Sequence, residues 1–362
     1  MTGLIQANAE ARRIRALFEA QGAQVVETDI LQPAETLLDL YGEDIRARAY
    51  VTYDGLRGEM MLRPDFTVPV VQWHMETNAE PARYTYSGKV FRMQEDDTSR
   101  PNEYVQVGYE VFDGKAPNHA DAEVFTLISK ALEGLPVRAA TGDLGILMAA
   151  VRGLSTTDAR KAALLRHIWR PRRFRALLDR FGGKTPVPAS RTALLASADP
   201  FKGIDTSHGV RTRAEVESRI DALREDAAAA PIASEQIALL DEILSLRETS
   251  PNVLSHLRDI AVDMPSIGAA VQRFSQRLEA LSKAGIDVDA LDFEGNFGRT
   301  TLEYYDGFVF GFYADKRPDL PPVASGGRYD ALTHVLGRGR AVPAVGGVIR
   351  PELVLALRGD AL

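Results

Sequence analysis

The chain is expected to fold as an α+β protein, an antiparallel sheet flanked by helices with a helical insertion. Three observations lead there. Strand-like alternation is concentrated towards the two ends of the 362-residue sequence. Apolar spacings of three and four residues dominate the middle, and no βαβ repeat links the strand-like stretches.

The elements follow in order. The opening MTGLIQANAEARRIRALFEA places Ile14, Leu17 and Phe18 on one helical face, and Gly22 suits a C-terminal cap. Extended segments come next, around AQVVETDI, ARAYVTYD and GEMMLRPD. From Ala82 to Phe112, YTYSGKVFRM and NEYVQVGYEVF read as an antiparallel hairpin whose charged connection, QEDDTSRP, suits a ligand better than a tight turn. A helix near residues 120 to 133 leads into the helical middle. There Ser234 starts a helix with Ile237, Leu240 and Leu244 on its apolar side. Ser266 is expected to N-cap another, whose Ile267, Val271, Phe274, Leu278 and Leu281 repeat until Gly285. GGKTPVP and AAAAPI read as joints. Strand-like sequence returns after Asp292 in TLEYYDGFVFGFYAD, VASGGRYDAL and AVGGVIRPELVLAL, with Pro351 in the first turn of a closing helix. The expected division is 1–135 as the first part of the core, 136–290 as a mainly helical insertion and connecting region, and 291–362 as the second part.

Composition removes several function classes. A chain without cysteine has no disulfide, thiolate nucleophile, Cys-ligated zinc or iron–sulfur cluster. The six histidines are scattered, none at the spacing of a helical metal site, and no Ser/His/Asp set or metal cluster declares itself. Catalytic and metal residues are therefore expected to be none. A net charge of −7 argues against gripping nucleic acid through its phosphates. No segment has the apolar length of a membrane span, and the N-terminus lacks a signal peptide's apolar centre, so a cytoplasmic location is expected. GGKT at 182 to 185 imitates a phosphate loop, but Leu178 stands where its first glycine is required. The run RHIWRPRRFRALLDR reads either as a solvated helix face or as a patch for an acidic or phosphorylated partner.

Polar residues embedded in apolar strands carry more information. Along VQVGYEV, Val105, Val107, Tyr109 and Val111 share one face, and Gln106, Gly108 and Glu110 share the other. Gly108 is expected to let a ligand approach the backbone. Arg92 lies on the neighbouring strand, and Asp65 and Thr67 alternate onto one face of LRPDFTVPV. Buried carboxylates are costly unless paired. One reading is a salt bridge between Arg92 and Glu110 that serves only the sheet. The other is a pocket for a zwitterion, with carboxylates for the ammonium and arginine for the carboxylate, as an amino acid requires.

LRPDFTVPV, YSGKVFRMQ, EYVQVGYEVF, EYYDGFVF and ASGGRYD together resemble, in order and context, the catalytic core of histidyl-tRNA synthetase, a class II aminoacyl-tRNA synthetase. The resemblance covers about residues 7 to 135 and 290 to 357. It implies a histidine pocket in which Asp65, Thr67, Gln106 and Glu110 meet the ammonium, Arg92 faces the carboxylate, and Tyr304 and Tyr305 form the tyrosine pair, the second near the imidazole.

Departures from the synthetase pattern accompany it. In VIRPELV, Leu353 follows Glu352 where the third motif carries an arginine, and GRTTLEYY sets one residue too many between Arg299 and Tyr304. The sequence ends at Leu362, soon after that motif, with no anticodon-binding domain expected. In these respects it resembles the regulatory-subunit family of ATP phosphoribosyltransferase. That resemblance implies a non-catalytic subunit that dimerises, binds L-histidine as effector and joins the short-form catalytic subunit in a hetero-octamer. It further implies activation of that partner and feedback inhibition of the first step of histidine biosynthesis, with magnesium at the partner and no tRNA. A truncated ligase that adenylates an amino acid for a non-tRNA acceptor is the alternative, and an amino-acid-binding module with another partner is a third.

Overall fold

The computed structural model describes residues 2–34, 47–77, 80–94, 100–202, 210–300 and 304–359. Twelve strands fall in two sheets among them: β1 (Gln24–Val25), β2 (Leu31–Pro33), β3 (Val51–Asp54), β4 (Gly58–Leu62), β5 (Ala82–Phe91), β6 (Glu103–Phe112), β7 (Val137–Asp143), β8 (Arg247–Thr249), β9 (Asp292–Glu294), β10 (Phe308–Ala314), β11 (Ala324–Arg328) and β12 (Ala344–Ile349). The large sheet runs β1-β5-β6-β12-β11-β10-β7-β9-β8, and β2-β4-β3 form a small one. The β1/β5 and β7/β9 pairs are parallel and the other pairings are antiparallel, as the sequence led us to expect for the core. The middle stretch 136–290 supplies helices and also β7, which lies between β10 and β9 in the sheet.

The β5–β6 hairpin forms the sheet's longest ladder, with Tyr86 opposite Gly108 and Tyr84 opposite Glu110. Residues 95–99 of its connection lie outside the described residues. Val105, Val107, Tyr109 and Val111 are all fully buried in the larger of two core clusters, beneath helices Thr2–Glu19 and Pro117–Ala131. Burying side chains of this size stabilises the fold by about 1.5–3 kcal/mol each. Helix Thr2–Glu19 enters the same cluster through Ala7, Ala11, Ile14 and Phe18 at spacings of four, three and four. Gly22 follows it with φ +86°, a left-handed conformation that costs a side chain about 1–2 kcal/mol. The second cluster lies on the opposite side of the hairpin and holds Tyr84, Tyr86, Val90, Tyr304, Tyr305 and Tyr329.

The helix expected from Ser234 is present as Ser234–Ser245, with Ile237, Leu240 and Ile243 buried. Pro351 occupies the first turn of Pro351–Arg358. Two local expectations change. Ser266 does not cap a helix: proline fixes the backbone at Pro265, a tight turn winds over Pro265–Ile267, and helix Gly268–Lys283 continues from it with no side-chain cap. Asp65 and Thr67 do not alternate along a strand either. β4 ends at Leu62, and Thr67 opens the helix Thr67–Thr77, its N–H donating to Asp65 Oδ1 at 3.1 Å.

Candidate ligand-binding site

A cavity of about 310 Å³ opens between the β6/β12/β11/β10 surface, the turn before helix Thr67–Thr77, Phe297 and Thr300, and the tyrosine pair. Asp65, Thr67, Arg92, Gln106, Tyr304 and Tyr305 all line it. Six of the seven residues singled out in the sequence therefore meet in one space, although they come from four separate segments.

The seventh, Glu110, is 1% exposed and does not line the cavity. Gly346 lies over it, and a Cβ there would stand 1.4 Å from Glu110 Oε2. Glu110 Oε1 accepts from the Tyr86 hydroxyl at 2.7 Å and the Thr67 hydroxyl at 3.1 Å, and Oε2 accepts from Tyr329 at 2.5 Å. Burial pushes its carboxyl up to about 7; the three hydroxyls oppose that rise, and Asp65 adds to it. Arg92 does not pair with Glu110. Its Nε donates to the Pro64 carbonyl at 2.8 Å, and its Nη2 lies 3.8 Å from Asp65 Oδ2. An acid and a guanidinium thus share one wall. Tyr304 donates to the same Asp65 Oδ2 at 3.3 Å and meets Tyr305 edge-on.

Gly108 serves a different purpose from the one expected. A Cβ on it would stand 2.2 Å from Cζ of Tyr86, so the gap on β6 is filled by the ring across the hairpin and not by a ligand. That ring delivers its hydroxyl to Glu110. Tyr86 and Tyr329 were missed as site-building residues; for Tyr86 the available signal was the hairpin register, which sets it directly opposite Gly108, whereas Tyr329 has no such local signal. Arg48, Arg100, Arg350 and Ser325, also in the lining, were not singled out for this cavity.

Gln106 carries a buried side-chain oxygen, Oε1, without a hydrogen-bond partner. Since such a group loses water without compensation, its presence beside the cavity is costly to the unliganded fold. Arg299 points away from this space. Its Nε donates to the Ile168 carbonyl at 2.7 Å, its Nη1 donates to Asn296 at 2.8 Å, and its guanidinium lies over the Phe174 ring. Burial lowers it to about 10, with Arg175 contributing. The residues between Arg299 and Tyr304 include 301–303, outside the described residues.

A second cavity, about 370 Å³, adjoins the first through Arg48, Arg92, Arg100 and Arg350, with Glu352 and Leu353 on its far side. Arg350 is pushed down by burial, and Tyr104 beside it is lowered by Arg92 and Arg350 against its own burial. The basic run divides in two. Arg175 donates to both Asp241 oxygens, and Arg180 pairs with Asp226, whereas the exposed Arg166, Arg172 and Arg173 make no ion pair among the described residues. Among the described residues no group of three or more potential metal ligands is found, and no helix is long and apolar enough to cross a membrane.

The histidyl-tRNA synthetase family model matches residues 5–229 and 211–354. Curated relatives from Brucella canis and Brucella suis, each an ATP phosphoribosyltransferase regulatory subunit, are 30% identical over 368 residues, covering 96% of this chain and 96% of the relative. Among solved structures, an ATP phosphoribosyltransferase regulatory subunit/histidyl-tRNA synthetase from Bacillus halodurans superposes with a TM-score of 0.67 at 20% identity, over 98% of this chain and 79% of that one. A histidyl-tRNA synthetase from Nostoc gives 0.63 at 16%, over 98% and 73%. At those identities the two structures establish the fold, a class II synthetase-like sheet flanked by helices. The sequence relatives go further: the chain belongs to the histidyl-tRNA-synthetase-like family of ATP phosphoribosyltransferase regulatory subunits.

Proposed function

We propose that this chain is a non-catalytic regulatory subunit that binds L-histidine in the 310 Å³ cavity, activates a short-form ATP phosphoribosyltransferase catalytic subunit and passes histidine inhibition to it. The observation that carries this reading is the shared wall of Asp65 and Arg92, 3.8 Å apart and lining the same cavity. A zwitterion satisfies both: its ammonium takes Asp65, Thr67 and the unpartnered Gln106 oxygen, and its carboxylate takes Arg92. The imidazole then lies towards Tyr305. Glu110 is a positioning residue that fixes the Thr67 hydroxyl from behind.

The absence of catalysis is supported by Arg299, whose guanidinium is spent on Ile168 and Asn296 instead of facing the cavity. A developing charge on phosphorus would lack that partner. The chain pairs with a second copy of itself, and Ile30, Leu31, Val51, Tyr53 and Leu56, exposed on and beside the small sheet, support such a face. Magnesium belongs to the catalytic partner, no tRNA is bound, and the assembly is a cytoplasmic hetero-octamer.

Calorimetry with L-histidine and ATP–pyrophosphate exchange, both on the isolated chain, test the reading. Binding that Arg92→Ala abolishes, without exchange, supports it. Histidine-dependent exchange would overturn it and favour the second reading, a truncated ligase that adenylates an amino acid for a non-tRNA acceptor. The four arginines of the adjoining cavity are what favour that alternative.

A further inference from the structure

The turn that carries the basic run is held by two hydrogen bonds, one to a residue of the pocket wall and one to Arg299 beside it. Trp169 Nε1 donates to the backbone carbonyl of Tyr305 at 3.1 Å, and the Ile168 carbonyl accepts from Arg299 at 2.7 Å. Trp169 also packs against both core clusters, bridging the helical side and the pocket side. On the outer side of this turn, Arg166, Arg172 and Arg173 are exposed and make no ion pair among the described residues, whereas Arg175 and Arg180 in the same run are paired. Arg172 and Arg173 occupy the first turn of helix Pro171–Phe181, and that first turn holds no acidic residue. Cations there oppose the helix dipole, so helix stability does not explain them. The patch is cationic in a chain of net charge −7.

We propose that Arg166, Arg172 and Arg173 form a docking surface for an acidic face of the catalytic partner, and that the Trp169–Tyr305 hydrogen bond conveys the state of the histidine pocket to it. This rests on the function proposed above and names its docking surface and route. An acidic protein surface is favoured because the three charges stand on either side of a turn, one at a helix end and two at the next helix start, giving a broad patch and no enclosed anion pocket. A ligand that moves Tyr305 displaces the turn directly, since its backbone carbonyl is the acceptor.

The test is activation of a short catalytic subunit by the full chain, titrated at low and moderate salt, for the wild type, R166E/R172E/R173E and Trp169→Phe. The triple variant is expected to need about tenfold or more of the chain for half-activation, and the salt dependence is expected to flatten. Histidine binding by the isolated variant stays unchanged. Trp169→Phe keeps the wild-type half-activation but loses most of the inhibition by histidine. Glutamate at 172 and 173 suits the helix dipole, whereas at 166 it opposes the end of helix Asp158–Arg166, so the unchanged histidine binding and a wild-type thermal midpoint are what exclude unfolding as the cause of the loss. A triple variant with wild-type half-activation and salt slope overturns the docking surface, and full inhibition in Trp169→Phe overturns the route. Failure of the wild-type chain to activate any short catalytic subunit overturns the functional reading itself, and this inference with it.

Discussion

The Thr67 hydroxyl lies 3.1 Å from Glu110 Oε1, across 43 residues of sequence. This bond joins a residue on the cavity wall to a carboxyl sealed behind it. It makes the protonation of Glu110 a property of the pocket as well as of the core.

Glu110 titrates near 7 in the fold against an ordinary value of 4.5, because burial disfavours its charge. The folded chain therefore holds a proton that the unfolded chain has released between those values. The stability from this group is fully present below about 4.5 and is lost as pH rises through about 7, an effect of about 3 kcal/mol. Glu110→Gln removes the titration. Measured by urea unfolding, the variant is expected to gain on the wild type as pH rises from 4.5 to 8. A pH-independent difference would contradict the assignment.

Asp65 serves both the helix and the cavity, and substitution separates the two roles. Asp65→Asn keeps an oxygen for the Thr67 N–H and so preserves the start of helix Thr67–Thr77. It removes the charge opposite Arg92. Calorimetry is expected to show histidine affinity falling about tenfold to a hundredfold, with a thermal midpoint near that of the wild type. Unchanged affinity would place the ammonium elsewhere.

Gly346 is constrained by contact and not by its dihedral angle. A methyl group at this position would overlap Glu110 Oε2. Gly346→Ala is expected to destabilise the fold by about 1–3 kcal/mol and to abolish histidine binding, because Glu110 would lose its contacts to Tyr329 and Thr67. Chemical denaturation and calorimetry on the same sample read both effects, and an unaltered variant would refute the close packing.

In the helical region, Asp226 accepts from Arg160, Arg180 and Arg191. These arginines hold its carboxyl down to about 2 against its burial. The stability from this group is present above 3.8 and is lost as pH falls through about 2. Asp226→Ala leaves Arg160, with its side chain only 9% exposed, without its charge partner, at a cost of about 3–5 kcal/mol. Urea unfolding near neutral pH measures this, and a loss under about 1 kcal/mol would contradict the role of Asp226 as a hub.

The β5–β6 hairpin was legible because its alternation has a period of two and both strands are long, so the faces of Val107 and Glu110 follow from the register. The helices at Thr2–Glu19 and Ser234–Ser245 were legible from their apolar spacing. Ser266 misled because proline one residue earlier started the turn, a local effect that outweighed the capping preference of serine. The grouping of six site residues followed from the family resemblance. The sealing of Glu110 did not, since it depends on Tyr86, Tyr329 and Gly346 arriving from three separate segments. The Trp169–Tyr305 bond spans 136 residues and has no local signature.

The most direct measurement is the activity of a short-form ATP phosphoribosyltransferase catalytic subunit with and without this chain, with L-histidine titrated into both. The chain is expected to raise turnover and to confer histidine inhibition that Arg92→Ala removes. Turnover unaffected by the chain, or inhibition that survives Arg92→Ala, would contradict this.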